Sequence, residues 1–381
     1  LASLSKINNP TTKKTKILLA PLDWGLGHAT RCIPIIKELL IQKYEVWIAA
    51  TGDQKALLMA EFPNLLFVEL PGYHVKYDKN RAFTFLRLIG SIPKILTRIK
   101  EEHRWLERFR EKVELDAVIS DNRYGLWGKD LYSVLITHQL GIRTSLGSWM
   151  DRWVQRLHYR LIGRFSAVWV PDQEEGLGLA GALSHPRRMP SPPTRYIGIL
   201  SRMEVPGGEE GALTGVAEES LDLLVLISGP EPQRTILEKR IWAQLGVFPG
   251  NVVFVRGLPG GGAVLEGMAN VRVYDHLPAR ALNEVMVRTK LVLARAGYST
   301  VMDLVRLRKR SVLIPTPGQT EQEYLGRYLA EKRIALCVRQ AGFSLTEALR
   351  RADKFPYVTI QEKGDLLQDV IAQSFSPVDL G

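Results

Sequence analysis

The chain has 381 residues, 45% of them hydrophobic and 24% charged, which is a globular composition on a length that suits two domains, each with its own core. A membrane-spanning helix is excluded because no run of about 18 apolar residues occurs. The net charge of +11 is lopsided: residues 1–200 hold 29 Lys/Arg against 19 Asp/Glu, a net of +10, and the remainder hold 22 against 21. Basic charge confined to one half points to an anionic partner for that half, with ordinary solubilising charge as the alternative.

Two cysteines, Cys32 and Cys337, fall in apolar contexts and read as core thiols of a reducing compartment. Lys13, Lys14 and Lys16 precede only a short apolar run that reads as a first strand rather than a leader. A cytoplasmic location is expected on these grounds.

The first strand is expected at Lys16–Ala20, followed by Gly25-Leu26-Gly27-His28 and a helix to about Ile41. Glycines at 25 and 27 allow positive φ and close approach of backbone to a ligand. Strands are expected at 45–50 and 65–70 with a helix between them, an alternation that favours parallel sheets with right-handed crossovers. From Arg81 to Lys112 runs a basic amphipathic helix that Pro93 should kink or divide. Strands at 116–120 and 133–136 end in Asn122-Arg123 and His138-Gln139, polar groups placed where an acceptor would bind or where they cap following helices. In residues 151–164, Arg152, Arg156, Arg160 and Arg164 recur every four residues beside Trp153, Leu157 and Leu161. That stripe suits lipid headgroups or a diphosphate, or else a solvated face.

Apolar periodicity vanishes at 205–219, which we read as a linker between a first domain (16–204) and a second (220–355), with a helical tail at 356–381. In the second domain, strands are expected at 221–227, 251–255, 271–274, 291–294, 311–314 and 334–338. The loop Arg295-Ala296-Gly297 leads into a helix near Ser299, and a Pro/Gly loop leads into another from about Thr320. Two Rossmann-like α/β domains facing across a cleft follow, with helix amino ends at the strand carboxyl edge suited to an anionic ligand.

Residues 295–303, RAGYSTVMD, resemble the R-S-G-A-x-T-V-x-E run of the bacterial N-acetylglucosaminyltransferase family of peptidoglycan lipid-intermediate synthesis, a two-domain (GT-B) glycosyltransferase family whose second half is the glycosyltransferase family 28 C-terminal domain. The resemblance implies that Asp303 binds the ribose of a UDP-sugar, with Arg295, Ala296, Gly297, Ser299 and Thr300 around it. Gln319, Glu321 and Gln322 would meet the donor sugar, Ser228, Gly229 and Arg234 the phosphates, and His276-Leu277 the uracil. Asp stands where the family has Glu, and Gly326 where it has Asn; Pro230 and Pro232 also depart from its Gly/Ser-rich loop. In the first half, Gly25, Gly27, His28, Arg31 and Cys32 resemble more closely the G-x-G-H-x-x-R-C loop of the UDP-sugar hydrolase of pseudaminic acid synthesis.

The resemblance implies an inverting hexosyltransferase that needs no metal or other cofactor, with UDP-sugar as donor and an unidentified hydroxyl acceptor, a lipid-linked one included. His28 would be the catalytic base or would only hold a phosphate or cap its helix. Gly25, Gly27, Arg31, Asn122, Arg123, His138 and Gln139 would face the acceptor or its phosphate. Peripheral contact with an anionic membrane is a further expectation, and no nucleic-acid motif is present. A UDP-sugar hydrolase and a non-enzymatic basic binding protein stand as alternatives.

Overall fold

A computed structural model describes residues 14–375 apart from 24, 73–80, 143–146, 177, 206–220, 362, 363 and 365. The linker expected at 205–219 thus lies, except for Val205, outside the described residues. The first sheet is built from β1 (Lys16–Pro21), α1 (Leu26–Ile41), β2 (Glu45–Ala49), α2 (Gly52–Glu61), β3 (Leu66–Val68), α3 (Arg81–Arg110), β4 (Ala117–Asp121), β5 (Tyr132–Ile136), α4 (Ser148–Ile162), β6 (Ala167–Val170) and β7 (Thr194–Tyr196). The second comprises β8 (Leu221–Leu226), α5 (Gln233–Leu245), β9 (Val252–Val255), β10 (Val271–Tyr274), α6 (Ala279–Arg288), β11 (Thr289–Ala294), α7 (Tyr298–Arg306), β12 (Ser311–Leu313), α8 (Thr320–Glu331) and β13 (Leu336–Cys337), followed by α9 (Leu345–Lys354) and α10 (Leu366–Ser374).

The strand orders are β3-β2-β1-β4-β5-β6-β7 and β10-β9-β8-β11-β12-β13, and every ladder between named strands is parallel. This is the α/β class expected from the sequence. Because helices cover both faces, the central strands are apolar throughout: Leu18 and Leu19 of β1 and Leu223 and Leu224 of β8 are fully buried. Each sheet reverses its strand order at one place, between β1 and β4 and between β8 and β11, and a crevice opens there at the strand carboxyl ends.

Two local expectations are corrected. The helix that Pro93 was expected to kink or divide is not divided there: it runs from Arg81 to Arg110 as one element. Cys337 is only partly buried, whereas Cys32 is fully buried.

The second half does not end on its own sheet. Helix α10 returns to the first domain, where Phe375 meets Tyr44, Tyr132 and Trp169 edge-on at centroid distances of 5.6, 5.9 and 5.9 Å. Gln42 Nε2 donates to Gln368 O at 3.0 Å beside it.

Arg123, expected at the acceptor, is instead a framework residue. Its side chain is fully buried, donating to Pro21 O and Glu102 Oε1, both at 2.7 Å, and to Pro71 O at 3.3 Å. It thereby ties β1, α3 and the turn after β4 together. Removing one partner of such a pair leaves Glu102 as an uncompensated buried charge, so Arg123→Met should cost about 3–5 kcal/mol of unfolding free energy. Denaturant titration checks this; a loss below about 1 kcal/mol contradicts the framework role.

Candidate active site

The first crevice is lined from the amino end of α1. Gly25 takes φ +83°, bringing the chain from β1 into the helix, and its carbonyl accepts from Gln54 Nε2 at 2.8 Å. His28 and Arg31, one turn apart on α1, project to the same carboxylate, Asp121 at the carboxyl end of β4. His28 Nδ1 lies 2.8 Å from Asp121 Oδ2, and Arg31 Nε lies 3.0 Å from both carboxylate oxygens. Arg31 Nη2 also reaches Asp121 Oδ1 and lies 2.8 Å from His28 Nδ1. An ionised carboxylate can only accept, so Nδ1 carries the proton it donates and the lone pair belongs to Nε2. The ring is 16% exposed, whereas Arg31 and Asp121 are 3% and 1% exposed.

Burial alone would raise the Asp121 carboxyl, but Arg31 and His28 outweigh it and bring it down to about 2. Burial lowers the His28 imidazole, the Arg31 charge lowers it further, and Asp121 only partly compensates. His28 is therefore neutral near pH 7, able to receive a proton at Nε2.

The second domain closes on this group. Ser299 Oγ donates to Gly27 O at 2.9 Å, so the amino ends of α1 and α7 abut. A Cβ at Gly27 would stand 3.1 Å from Ser299 Oγ, which explains the glycine there. His138 Nε2 lies 2.8 Å from Glu321 Oε1, Gln139 Nε2 donates to Glu321 Oε2, and the His138 ring stacks on Tyr298 at 4.0 Å. Tyr298 Oη donates to Pro171 O at 2.7 Å. Burial raises the Glu321 carboxyl while His138, Arg31 and His28 lower it, with a net lowering. Glu321, implied to meet a donor sugar, is thus held by two residues implied to meet the acceptor.

The second crevice lies between β8 and β11. Gly229 takes φ +105°, and a Cβ there would stand 3.6 Å from Thr316 Oγ1 and 3.9 Å from Arg295 Nε. Both atoms are buried and make no hydrogen bond among the described residues. The rest of the Arg295 guanidinium is fixed, Nη1 to Gln340 Oε1 at 2.6 Å and Nη2 to Gln233 O at 2.7 Å. Desolvation lowers its pKa to about 10, which leaves it charged at neutral pH. Ser228 is half-buried beside Gly229. Helix α7 starts from Gly297 with no side-chain cap, leaving amide donors at its amino end beside Ala296 and Thr300. Gln322 Oε1 accepts from Thr316 N at 2.9 Å, and Gln319 precedes α8.

Other expected residues are engaged elsewhere. Arg234 donates to Glu231 at 2.5 Å, Glu238 at 2.6 Å and Arg256 O at 3.1 Å, a carboxylate network that leaves it unsuited to phosphate. Arg31 is likewise committed to Asp121. Asn122 takes φ +56°, its amide donating to Ile136 O at 3.1 Å. His276 is half-buried, its pKa lowered by burial and then by Arg202, and Leu277 is buried. Asp303 faces the junction between the domains, accepting from Ser201 Oγ at 2.6 Å. Asp121, Thr316, Tyr298 and Ser201 were not singled out from the sequence; for Asp121 the signal was a carboxylate closing a buried strand, AVISD.

With this geometry in hand, comparison with known proteins is direct. A model described as "Glycosyltransferase family 28 C-terminal domain" matches residues 266–365. A curated relative, the UDP-N-acetylglucosamine–N-acetylmuramyl-(pentapeptide) pyrophosphoryl-undecaprenol N-acetylglucosamine transferase of an Exiguobacterium species, is 32% identical over 114 residues. That match spans 28% of this chain and 32% of the relative's length. Among solved structures, glycosyltransferase SnogD from Streptomyces nogalater superposes with a TM-score of 0.57 at 16% identity, covering 95% of this chain and 98% of that one. MurG of Acinetobacter baumannii gives 0.52 at 14% identity over 95% of each chain. The spinosyn rhamnosyltransferase SpnG gives 0.61 at 18% identity, over 95% of this chain and 100% of that one. These likenesses establish the two-domain GT-B fold over both halves, while the family 28 match lies within the second.

Burial raises the Asp303 carboxyl to about 6 from its ordinary 3.8, against the opposing pull of Arg202 and Ser201. A carboxyl with a raised folded-state pKa contributes stability below its unfolded value, and that contribution is lost as pH rises through the folded value. Unfolding free energy should therefore fall by about 2 kcal/mol between pH 4 and pH 7 on account of this group. Asp303→Asn should remove that component of the pH profile in denaturant titrations; an unchanged profile contradicts the burial of a titrating Asp303.

Proposed function

We propose that the protein is an inverting glycosyltransferase that moves a hexose or N-acetylhexosamine from a UDP-sugar to a hydroxyl acceptor, without a bound metal ion. The observation that carries this reading is the pair of unsatisfied buried groups, Arg295 Nε and Thr316 Oγ1, flanking the open Gly229 turn at the second sheet's switch point. A buried donor without a partner costs about 1–3 kcal/mol, and a diphosphate oxygen would satisfy it. The α7 amino end adds amide donors and the favourable end of its dipole.

In this scheme His28 Nε2 takes the acceptor's hydroxyl proton as that oxygen forms a bond to the anomeric carbon. The anomeric carbon–oxygen bond to the diphosphate breaks, and UDP leaves with the electron pair. Asp121 holds the ring through Nδ1, and Arg295 with the α7 amides stabilises the departing charge. Asp303 would hold the pentose once Ser201 yields its hydrogen bond, and Glu321 would turn from His138 and Gln139 to the sugar. The curated relative is named for a UDP-N-acetylglucosamine donor and a lipid-linked acceptor, which supports the same classes here. A UDP-sugar hydrolase is the second reading, supported by the His28–Asp121 pair, which would activate water equally well.

A membrane-facing acceptor suits the exposed side of α4, where Trp149 and Trp153 are 63% and 51% exposed among exposed Arg152, Arg156 and Arg160. Tryptophan beside arginine is the composition of a surface that lies on anionic phospholipid, at the inner face of a cytoplasmic membrane in this reading. Tyr159 Oη donates to Arg188 O, adding exposed Arg187, Arg188 and Met189 beside the helix.

A thermal-shift panel of UDP-, GDP-, TDP- and CMP-sugars should show stabilisation by UDP-sugars, retained in EDTA and abolished by Asp303→Ala; preference for another nucleotide overturns the donor assignment. Free sugar released at full rate without any acceptor would favour the hydrolase instead. In co-sedimentation, vesicles containing phosphatidylglycerol should bind the protein and pure phosphatidylcholine should not, with a loss of about tenfold or more in the Trp149→Ser/Trp153→Ser double variant. Equal binding to both vesicle types contradicts the anionic surface.

A further inference from the structure

The histidine–carboxylate pair in the first crevice has a third member that neither the proposed chemistry nor the comparisons assign. Arg31 shares one face of α1 with His28 and engages both oxygens of Asp121, with Nε 3.0 Å from each. Its Nη2 stands 2.8 Å from the same Nδ1 that faces Asp121 Oδ2. Only one of the two short contacts at Nδ1 is a hydrogen bond, because the ring nitrogen either donates to the carboxylate or accepts from the guanidinium. Arg31 Nη2 has the Asp121 carboxylate as its own acceptor, so we assign the Nδ1 proton to the bond with Asp121 Oδ2, with the guanidinium held against the ring edge as a fixed positive charge.

We propose that Arg31 is a positioning residue for His28: it clamps Asp121 in the orientation that fixes the Nδ1–H tautomer, and it spends that carboxylate's charge so the imidazole stays unprotonated until an acceptor hydroxyl delivers its proton. A lone histidine–aspartate pair holds one negative charge to balance an imidazolium. Here the carboxylate is already balanced by Arg31, so protonating His28 leaves the buried trio with a net charge of +1. The proton is then held weakly, ready to be lost at the end of a cycle, and the ring keeps its lone pair into mildly acidic solution.

The other groups around His28 act in the same direction or are themselves paired. His138, beyond the end of β5, adds to the lowering of the His28 pKa. Glu321 of α8 is bonded by His138 and Gln139. Cys32 of α1 lies 3.9 Å from Asp121 Oδ2 with its thiol pKa pushed up by burial, so it remains neutral. Tyr298 of α7, raised by burial, is neutral as well. Of the groups facing the imidazole, Asp121 alone is a negative charge in contact with it, and Arg31 neutralises that charge.

This inference rests on the proposed function only for the role of His28; the titration that tests it needs no substrate. In the full-length protein with labelled histidine, NMR should give a His28 midpoint below the ordinary 6.5, with the signature of the Nδ1–H tautomer. In Arg31→Gln the midpoint should rise by roughly one pH unit or more, and in Arg31→Lys, which keeps the charge, it should rise less. Where transfer is measurable, the acid limb of the kcat/KM profile should move with the midpoint, whereas a merely structural arginine would lower kcat/KM at every pH. A wild-type midpoint at or above 6.5, an Nε2–H tautomer, or an unmoved midpoint in a folded Arg31→Gln variant each overturns the proposal. Should Arg31→Gln fail to fold, the wild-type titration and tautomer still decide it. Loss of UDP-sugar binding with a normal His28 titration would instead count against the donor reading and leave Arg31's role standing.

Discussion

The structure depends on one contact, the meeting of two helix amino ends. Both parallel sheets reverse strand order beside their first strands, so each presents a crevice at its carboxyl edge. The crevices are brought face to face where Ser299 Oγ of α7 donates to Gly27 O at the start of α1. Gly27 permits that approach, because any larger side chain would press on Ser299. Everything chemical in the molecule lies around this abutment: His28 and Arg31 follow on α1, and Asp303 follows on α7. The return of α10 to the first domain fastens the same arrangement from behind.

Charge at the junction is paired, within the first domain at Asp121 and across the domains at Glu321 and Asp303. Asp121 holds His28 and Arg31, Glu321 of the second half holds His138 and Gln139 of the first, and Asp303 takes the hydroxyl of Ser201. Each carboxylate that would bind a sugar hydroxyl is thus already given a polar partner from the other domain. A ligand entering the crevice exchanges these bonds for its own, which keeps the acids satisfied in its absence. Arg295 Nε and Thr316 Oγ1 are among the buried polar atoms left without a partner in the described residues, and these two lie together where an anion fits.

The sequence made the architecture legible because parallel strands covered on both faces read as short apolar runs, as in the LLVL of β8 and the LVLA of β11. Glycine placement made the first loop partly legible: Gly25 takes the positive φ read for it, whereas Gly27 lies inside α1 and serves the close approach to Ser299 instead. The uses of individual arginines were less legible. Arg123, in the turn after β4, is consumed by Glu102 of α3, 21 residues away, a commitment that tertiary packing decides. Arg234, at the start of α5, is consumed by Glu238 one turn along the same helix, a pairing that the i, i+4 spacing offered and the sequence reading passed over. The His28–Asp121 pairing was hidden as that of Arg123 was, its members being 93 residues apart. Pro93 does not divide α3, because a missing amide donor does not stop a helix whose neighbouring turns are held.

The central claim is that main-chain amides and Arg295 grip a nucleoside diphosphate at the second sheet's switch point. A crystal structure with UDP soaked or co-crystallised tests it most directly. Phosphate oxygens within hydrogen-bond distance of Arg295 Nε, Thr316 Oγ1 and the α7 amino end, with the pentose on Asp303 after displacement of Ser201, are the expected result. Diphosphate bound outside that crevice, or held through a metal ion with Arg295 untouched, would contradict the account.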